Sequence, residues 1–182
     1  MAVWIFRVLD ALRVPKGVEL FWHVLTSVSP LTKNEISEAA KVLGTGAIRY
    51  DAVRVAQGRI LPIVFWFNHN RAFTLFHTIN LSKSDRSNLP TVVHELLHVY
   101  QYEILGSVYI WQALRAQWTE GYSYGGWEKL AEGKQIAGYN REQQAQIVED
   151  YYREVIAKEP DVGERMRQAY APFIEEIKQG KL

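Results

Sequence analysis

The chain has 182 residues, a formal net charge of +1 at pH 7 and 48% hydrophobic residues. This length and composition are typical of one folded domain with a substantial core, and the near-neutral charge gives no argument for binding nucleic acid or an anionic membrane surface. The chain has no cysteine, which excludes disulfides and thiolate ligands and leaves nitrogen and oxygen as donors for any metal.

In the first segment, residues 1–30, Arg7 and Asp10 interrupt the apolar run that starts at Val3, and no basic residue precedes that run. This pattern is unlike a signal peptide and predicts an amphipathic helix with its apolar side buried, or docked on a protein partner. No run of eighteen apolar residues occurs, so no membrane-spanning helix is predicted. We therefore expect a cytoplasmic protein, or one exported by a route that needs no signal peptide.

A core segment, residues 31–157, follows. Thr32 and Glu35 form a capping box, which predicts a helix that ends at Gly44. Stretches rich in Val, Ile and aromatic residues predict three strands, with a turn at Gln57 and Gly58 between the first two: 47–55, 60–67 and 73–81. The third of these is also a candidate edge strand for pairing with an extended peptide.

The rest of the chain predicts mostly helices. They cover about 108–118 and 140–157, and a final segment, 158–182, is helical with a break or kink at Pro172. Strands followed by helices predict an α+β fold, with a small sheet on the N-terminal side of the helix described next. Large aromatic residues after that helix are expected to pack mainly in the core: Trp111, Trp118, Tyr122, Tyr124 and Trp127.

The central motif is His-Glu-Leu-Leu-His at residues 94–98, the H-E-x-x-H pattern of a zinc-binding helix. Residues four apart lie on one face of a helix, so His94 and His98 can aim their rings at one metal ion. Glu95 lies one position round, within reach of a water at that metal. The neighbours are mostly apolar, which predicts a buried helix whose polar stripe consists of His94, His98 and Gln101.

A catalytic zinc ion usually has three protein ligands. A third histidine six residues after the second is excluded, because that position is Ile104. The next arrangement to consider is a glutamate near the start of a separate helix. Asn140 and Gln143 predict such a start, and Glu142 lies in its first turn. Glu142 is therefore the favoured third ligand, although an acid there also suits the helix dipole; the competing carboxylates are Glu120, Glu132, Glu149 and Asp150.

With these residues the chain resembles bacterial zincin-like metallopeptidases of the glutamate-ligand (gluzincin) clan. The resemblance spans roughly residues 30–157 and rests on HELLHVYQYEILGSVYIWQALRAQ and EQQAQIVEDYY. Relatives with HELxHVxQ motifs are often encoded with contractile injection or type VI secretion (Rhs/Vgr) components. The resemblance implies a zincin-like fold, a peptide or protein substrate, and one Zn²⁺ ion bound by His94, His98 and Glu142, with Glu95 as general base. One position differs: Gln146 stands where the clan commonly has Asp.

Three functions follow as hypotheses. The first is a zinc-dependent metallopeptidase, and the second is a metal-binding but catalytically inactive accessory domain of a secretion-associated system. The third is a hydrogen-bond network without a metal. Gln146 and Gln101 are the residues predicted to orient the ligands. Several tyrosines are candidate donors to the oxyanion of a peptidase: Tyr122, Tyr124, Tyr139, Tyr151 and Tyr152.

Overall fold

The computed structural model describes residues 3–119, 121–133, 135–158, 160 and 163–182, so Glu120, one of the competing ligands, lies outside the described residues. In chain order the elements are α1 (Val3–Ala11), α2 (Val14–Leu25), β1 (Ser27–Pro30), α3 (Lys33–Leu43), β2 (Arg54–Gln57), α4 (Leu61–Phe67), β3 (Phe73–Leu75), β4 (Thr78–Asn80), α5 (Lys83–Arg86), α6 (Leu89–Leu105), α7 (Val108–Thr119), α8 (Trp127–Leu130), α9 (Arg141–Tyr151) and α10 (Glu164–Lys178). A 3₁₀ turn at Ile136–Gly138 precedes α9, and a π-helical segment at Tyr152–Ile156 continues it. The predicted α+β class is confirmed.

The sheet is small and mixed, with the strand order β1-β2-β4-β3. β1 pairs antiparallel with β2 through Ser29 and Val55, and β2 pairs parallel with β4 through Val55 and Ile79. β3 pairs antiparallel with β4 through Thr74 and Ile79, so it lies at an edge. All four strands precede α6 in the chain, as the sequence predicts.

The strand predictions were partly wrong. Residues 60–67 form α4, because its apolar side chains follow a helical period: Leu61 and Phe65 are buried, while Ile63 and Trp66 are exposed. A short apolar run does not by itself distinguish these two structures. The predicted strand at 47–55 begins only at Arg54, and 73–81 is the hairpin of β3 and β4 rather than one strand.

Helix α6 is the central element of the fold. Asn88 occupies its N-cap position and Pro90 its first turn, and Gly106, at a φ of 73°, ends it. Leu96 and Leu97 are fully buried. α6 packs against α3, α7 and α9 and against the hairpin of β3 and β4. The helix that carries the H-E-x-x-H motif is therefore buried, as its apolar neighbours predict.

The C-terminal segment is an integral part of the core. Pro172 lies inside α10 without ending it, so of the predicted break or kink the break was wrong. Tyr170, Phe173 and Ile177 of α10 are buried in the same core as α6. The Tyr100 hydroxyl of α6 donates to the Ile177 carbonyl, which ties the two helices together.

The N-terminal helices differ from the expectation of a buried apolar side. On α1, Trp4 is 63% exposed, and on α2, Leu20 and Phe21 are 69% and 64% exposed. The inward side of α2 is instead formed by Trp22 and by polar side chains that bond to the sheet. Within the described part of the chain, no helix combines the length and the apolar character needed to cross a membrane.

Candidate metal centre

Three predicted ligands meet where α6 packs against α9. The Nε2 atoms of His94 and His98 lie 3.7 Å and 3.5 Å from Glu142 Oε2. One donor atom from each of the three side chains lies within 4.8 Å of the others, and all three residues are buried. A tetrahedral zinc ion with bonds of about 2.1 Å holds its ligand atoms about 3.4 Å apart, which is close to these separations.

A capping box places Glu142 in this position. The Gln143 backbone N–H donates to Asn140 Oδ1 at 2.9 Å, and the Asn140 N–H donates to Gln143 Oε1 at 3.1 Å. These bonds start α9 at Arg141 and direct Glu142, in its first turn, toward α6. The sequence pattern that predicted the helix start is thus the local reason that a carboxylate faces the two histidines.

The competing carboxylates that the structure describes do not join the group. Asp150 accepts from the Tyr124 hydroxyl at 2.9 Å, and Glu132 is an exposed partner of Lys129. Glu149 contacts His94, but at the nitrogen that faces away from Glu142. Of the described candidates, Glu142 alone reaches both histidine Nε2 atoms.

A chain of amide hydrogen bonds determines which nitrogen of His98 carries the proton. Gln144 Nε2 donates to the carbonyls of Ile136 and Tyr139, so its Oε1 accepts from Gln101 Nε2 at 3.0 Å. Gln101 Oε1 consequently faces His98 Nδ1 at 2.8 Å. Because an amide oxygen only accepts, His98 Nδ1 donates, and in the neutral ring Nε2 presents its lone pair to Glu142.

His94 is oriented in the same way by a carboxylate. Its Nδ1 lies 3.0 Å from Glu149 Oε2, and Glu149 is itself paired with Arg153. Such a carboxylate–histidine contact is the usual outer partner of a metal-binding imidazole. Gln146, predicted to orient a ligand, instead donates to Asp150 Oδ1 at 3.0 Å. Of the two predicted orienting residues, the structure brings Gln101 to a ligand and does not bring Gln146.

Glu142 leaves one oxygen without a hydrogen-bond donor. Its Oε1 accepts from Gln117 Nε2 at 2.9 Å. Among the buried side-chain atoms of the described residues, Oε2 is the one for which no hydrogen-bond partner is found. An anionic oxygen facing two nitrogen lone pairs is unfavourable unless a cation or protons lie between them. Two imidazoles and a carboxylate are a donor set that suits Zn²⁺, so the residues fit that ion.

Without a metal, the raised pKa values of His94 and His98 favour protons on the imidazole nitrogens that face Glu142. Burial lowers the pKa of His94, but the nearby carboxylate of Glu142 and the hydrogen-bonded carboxylate of Glu149 outweigh it and raise the pKa to about 10. Burial likewise lowers the pKa of His98, but the charge of Glu142 raises it further, and the net shift is upward. Burial raises the pKa of Glu142, yet His98 and His94 together hold it well below its usual range. A metal ion and protons therefore compete for the same nitrogen atoms.

This competition predicts how the stability of the metal-free protein depends on pH. The raised pKa of His94 gives stability that is present below its ordinary pKa of 6.5 and is lost as pH rises toward about 10. The lowered pKa of Glu142 gives stability that is present above its ordinary pKa of 4.5 and is lost on acidification. We expect the melting temperature of chelator-treated protein to be highest between these two ordinary values. A melting temperature that stays constant from about pH 6.5 to pH 10 would contradict this assignment.

Glu95 lies beside the three candidate ligands and accepts a hydrogen bond from the edge strand β3. Thr74 Oγ1 of β3 donates to Glu95 Oε2 at 2.6 Å, and the Glu95 side chain is buried. Burial raises the pKa of Glu95, and this outweighs the lowering by His98 and His94. A carboxylate whose pKa is raised toward neutrality is a better general base near neutral pH than an exposed one.

A cavity of about 160 Å³ opens onto the site between β3 and α7. Glu95 and Glu142 supply polar walls, and Phe73, Leu75 and Ile110 supply apolar ones. A second and more open cleft, of about 330 Å³, also reaches His94 and Glu95 and is lined by Gln146 and Glu149 of α9. The candidate ligands are thus buried in the protein but accessible to a small group from solvent.

One of the five predicted oxyanion donors lines this cavity. The Tyr122 ring centroid lies 6.1 Å from that of His94, and the Arg71 guanidinium lies 5.4 Å from the Tyr122 centroid. Burial raises the pKa of Tyr122 to about 12, so its hydroxyl remains a donor. The other four lie outside the cavity, where they contact core residues or bond to acids: Tyr124, Tyr139, Tyr151 and Tyr152.

Sequence reasoning missed Thr74, Gln117 and Tyr109. Each reaches the site from a different element, and none belongs to a local motif. Tyr109 lines the cavity, and its hydroxyl donates to the Thr74 carbonyl at 2.9 Å. Thr74 and Gln117 donate hydrogen bonds to Glu95 and Glu142 respectively, so they hold the candidate base and the candidate third ligand in place.

Comparisons of the chain with protein-family models, with curated proteins and with solved structures find no match. The zincin-like fold and the gluzincin resemblance therefore stay predictions.

Proposed function

We propose that this protein is a zincin-like, zinc-dependent metallopeptidase, in which His94, His98 and Glu142 bind one Zn²⁺ ion and Glu95 is the general base. The observation that carries the proposal is the buried Oε2 of Glu142, which lacks a hydrogen-bond partner and faces the Nε2 atoms of both histidines. The partners of the two Nδ1 atoms favour the tautomers that leave those Nε2 atoms free for a metal.

The arrangement of the remaining residues supports peptide hydrolysis. A bound zinc ion supplies Lewis acidity, which polarises a carbonyl and makes water a stronger acid. Thr74 holds one oxygen of Glu95, and the other is then available to accept the proton of an attacking water and deliver it to the leaving amine. Tyr122 lies beside His94 as a donor for the charge that develops on the carbonyl oxygen.

β3 supports the binding of an extended substrate. Within the predicted peptide-pairing segment 73–81, only β3 has a free edge, because β4 has a neighbouring strand on both sides. The Thr74 carbonyl already accepts from Tyr109, so peptide pairing would use the other edge groups of the strand. The apolar cavity walls at Phe73, Leu75 and Ile110 favour an apolar side chain next to the cleaved bond.

Metal analysis combined with an activity assay tests this proposal. We expect protein loaded with zinc and freed of excess metal to retain about one ion per chain and to cleave members of a quenched fluorescent peptide library. A chelator should abolish cleavage and added zinc should restore it. Bound zinc without any cleavage would favour the inactive accessory domain, and failure to retain metal would leave only the hydrogen-bond network.

A further inference from the structure

Helices α1, α2 and α4 leave a large apolar surface uncovered. Trp22 of α2 packs against a buried cluster that includes Leu61 and Phe65 of α4, and α1 contacts both α2 and α7. Their outward side chains include large residues that are each more than 60% exposed: Trp4, Leu12, Leu20, Phe21, Val24 and Trp66. We call this set the N-terminal apolar surface. Apolar patches on such a scale usually mark an interaction site.

In this region the acidic side chains point into the fold and the basic side chains point outward. Residues 1–25 contain two acids, Asp10 and Glu19, and both point into the fold. Asp10 accepts from the Ser107 backbone N–H at 3.0 Å and from its hydroxyl, which fastens α1 to the start of α7. Glu19 accepts from the His77 N–H at 2.7 Å and from Thr78 Oγ1 at 3.0 Å, which fastens α2 to the hairpin.

The basic residues of the same helices point outward. Arg7, Arg13 and Lys16 are exposed. Arg59, at the start of α4, is also exposed, and residues 52–84 contain no acid. The net charge of +1 for the whole chain therefore conceals a surface that is apolar and positively charged. Its acidic counterparts within these helices are used in internal bonds.

We propose that the N-terminal apolar surface docks on an anionic lipid bilayer, with α1 and α2 lying in the interfacial region. Short amphipathic helices that combine Trp, Phe and Leu with Lys and Arg bind bilayers in this way, and Trp favours the interface. A symmetric contact with a second copy is disfavoured, because it would bring Arg7, Arg13 and Lys16 toward their own copies without an outward acid to pair with them. The proposal is independent of the metal site.

Vesicle co-sedimentation of the full chain tests this proposal. We expect the protein to bind vesicles of phosphatidylcholine with about 30% phosphatidylglycerol at least about tenfold more tightly than pure phosphatidylcholine, and less tightly at high salt. Phe21→Glu should lower binding at least about tenfold, and Lys16→Glu about fivefold. Lys181→Glu, a matched charge reversal at an exposed C-terminal position, should leave binding unchanged.

Because Phe21, Lys16 and Lys181 are exposed, their variants should keep the parent melting temperature, which serves as the folding control. Equal binding to both vesicle types, or a Phe21→Glu variant that binds like the parent, would overturn the proposal. A parent protein that ignores vesicles but forms a dimer that Phe21→Glu disperses would also overturn it, in favour of a contact between copies.

Discussion

Replacing Glu142 with alanine is expected to weaken zinc binding by more than about 100-fold. Glu142 is the only described carboxylate that reaches the Nε2 atoms of both His94 and His98, so its removal leaves two ligands. The measurement is competition for zinc with a chromogenic chelator. The alanine variant also loses the contacts of Glu142 with His94, His98 and Gln117 in the metal-free protein, so its melting curve is recorded alongside to show that it is folded at the assay temperature.

Three control variants distinguish the loss of a metal ligand from the loss of a neighbouring side chain. Glu149→Gln should weaken zinc binding by about ten- to hundredfold, since Glu149 orients His94 from its other nitrogen. Gln146→Ala should have little effect, because its amide contacts Asp150 rather than a ligand. Glu164→Ala, on the exposed start of α10, is the matched surface control. Equal losses for the Glu142 and Glu149 variants would refute the assignment of Glu142 as the third ligand.

Glu95→Gln is expected to lower peptide hydrolysis by about 100- to 10,000-fold while zinc stays bound, because the amide cannot accept the proton of the attacking water. The amide oxygen can still accept the bond from Thr74, so the geometry should be kept. The measurements are kcat/KM on a cleaved peptide and the zinc content of the same sample. Loss of zinc together with activity would instead indicate that Glu95 holds the metal.

Thr74→Val tests how Glu95 is positioned. The hydrogen bond from Thr74 lowers the pKa of Glu95, so its removal should shift the acidic limb of the pH profile of kcat/KM to higher pH. We expect kcat to fall about tenfold with zinc affinity unchanged. Thr119→Val, which removes a hydroxyl bonded only to the Arg115 carbonyl, is the matched control. An unchanged pH profile would contradict this role for Thr74.

The sequence predicted the parts of the site that depend on local rules. His94 and His98 share a face because of helix periodicity, and the apolar residues around them bury the helix. Asn140 and Gln143 predicted a helix start that the capping box forms, and this start places Glu142. These features depend on spacings of three or four residues, which can be read without knowledge of the tertiary fold.

The parts that the sequence did not predict depend on contacts between distant segments. Glu149 rather than Gln146 orients His94, because helix spacing does not specify which of two neighbouring side chains on α9 faces α6. Thr74 and Gln117 reach the site from β3 and α7, with no motif of their own. Residues 60–67 are a short and continuous apolar run, and such a run does not show whether it forms a helix or a strand.

The N-terminal helices show a limit of arguments from composition. The sequence predicted an apolar side that is buried or docked on a protein partner, and much of that side is exposed in the structure. In the structure the internal contacts of these helices include the polar residues Asp10 and Glu19 beside Trp22. Trp111 and Trp118 of α7, also expected to pack mainly in the core, are 46% and 75% exposed. Overall net charge and hydropathy do not reveal which residues face outward.

X-ray absorption at the zinc edge reports the atoms bound to the ion whether or not the protein is active, so it measures the ligands of this metal centre independently of catalysis. For zinc-loaded protein we predict a single site with two imidazole nitrogens at about 2.0–2.1 Å and a carboxylate oxygen at about 2.0–2.2 Å. Glu142→Ala should remove the carboxylate contribution and keep the two imidazoles. A spectrum without imidazole scattering, or one that Glu142→Ala leaves unchanged, would contradict a metal centre formed by His94, His98 and Glu142.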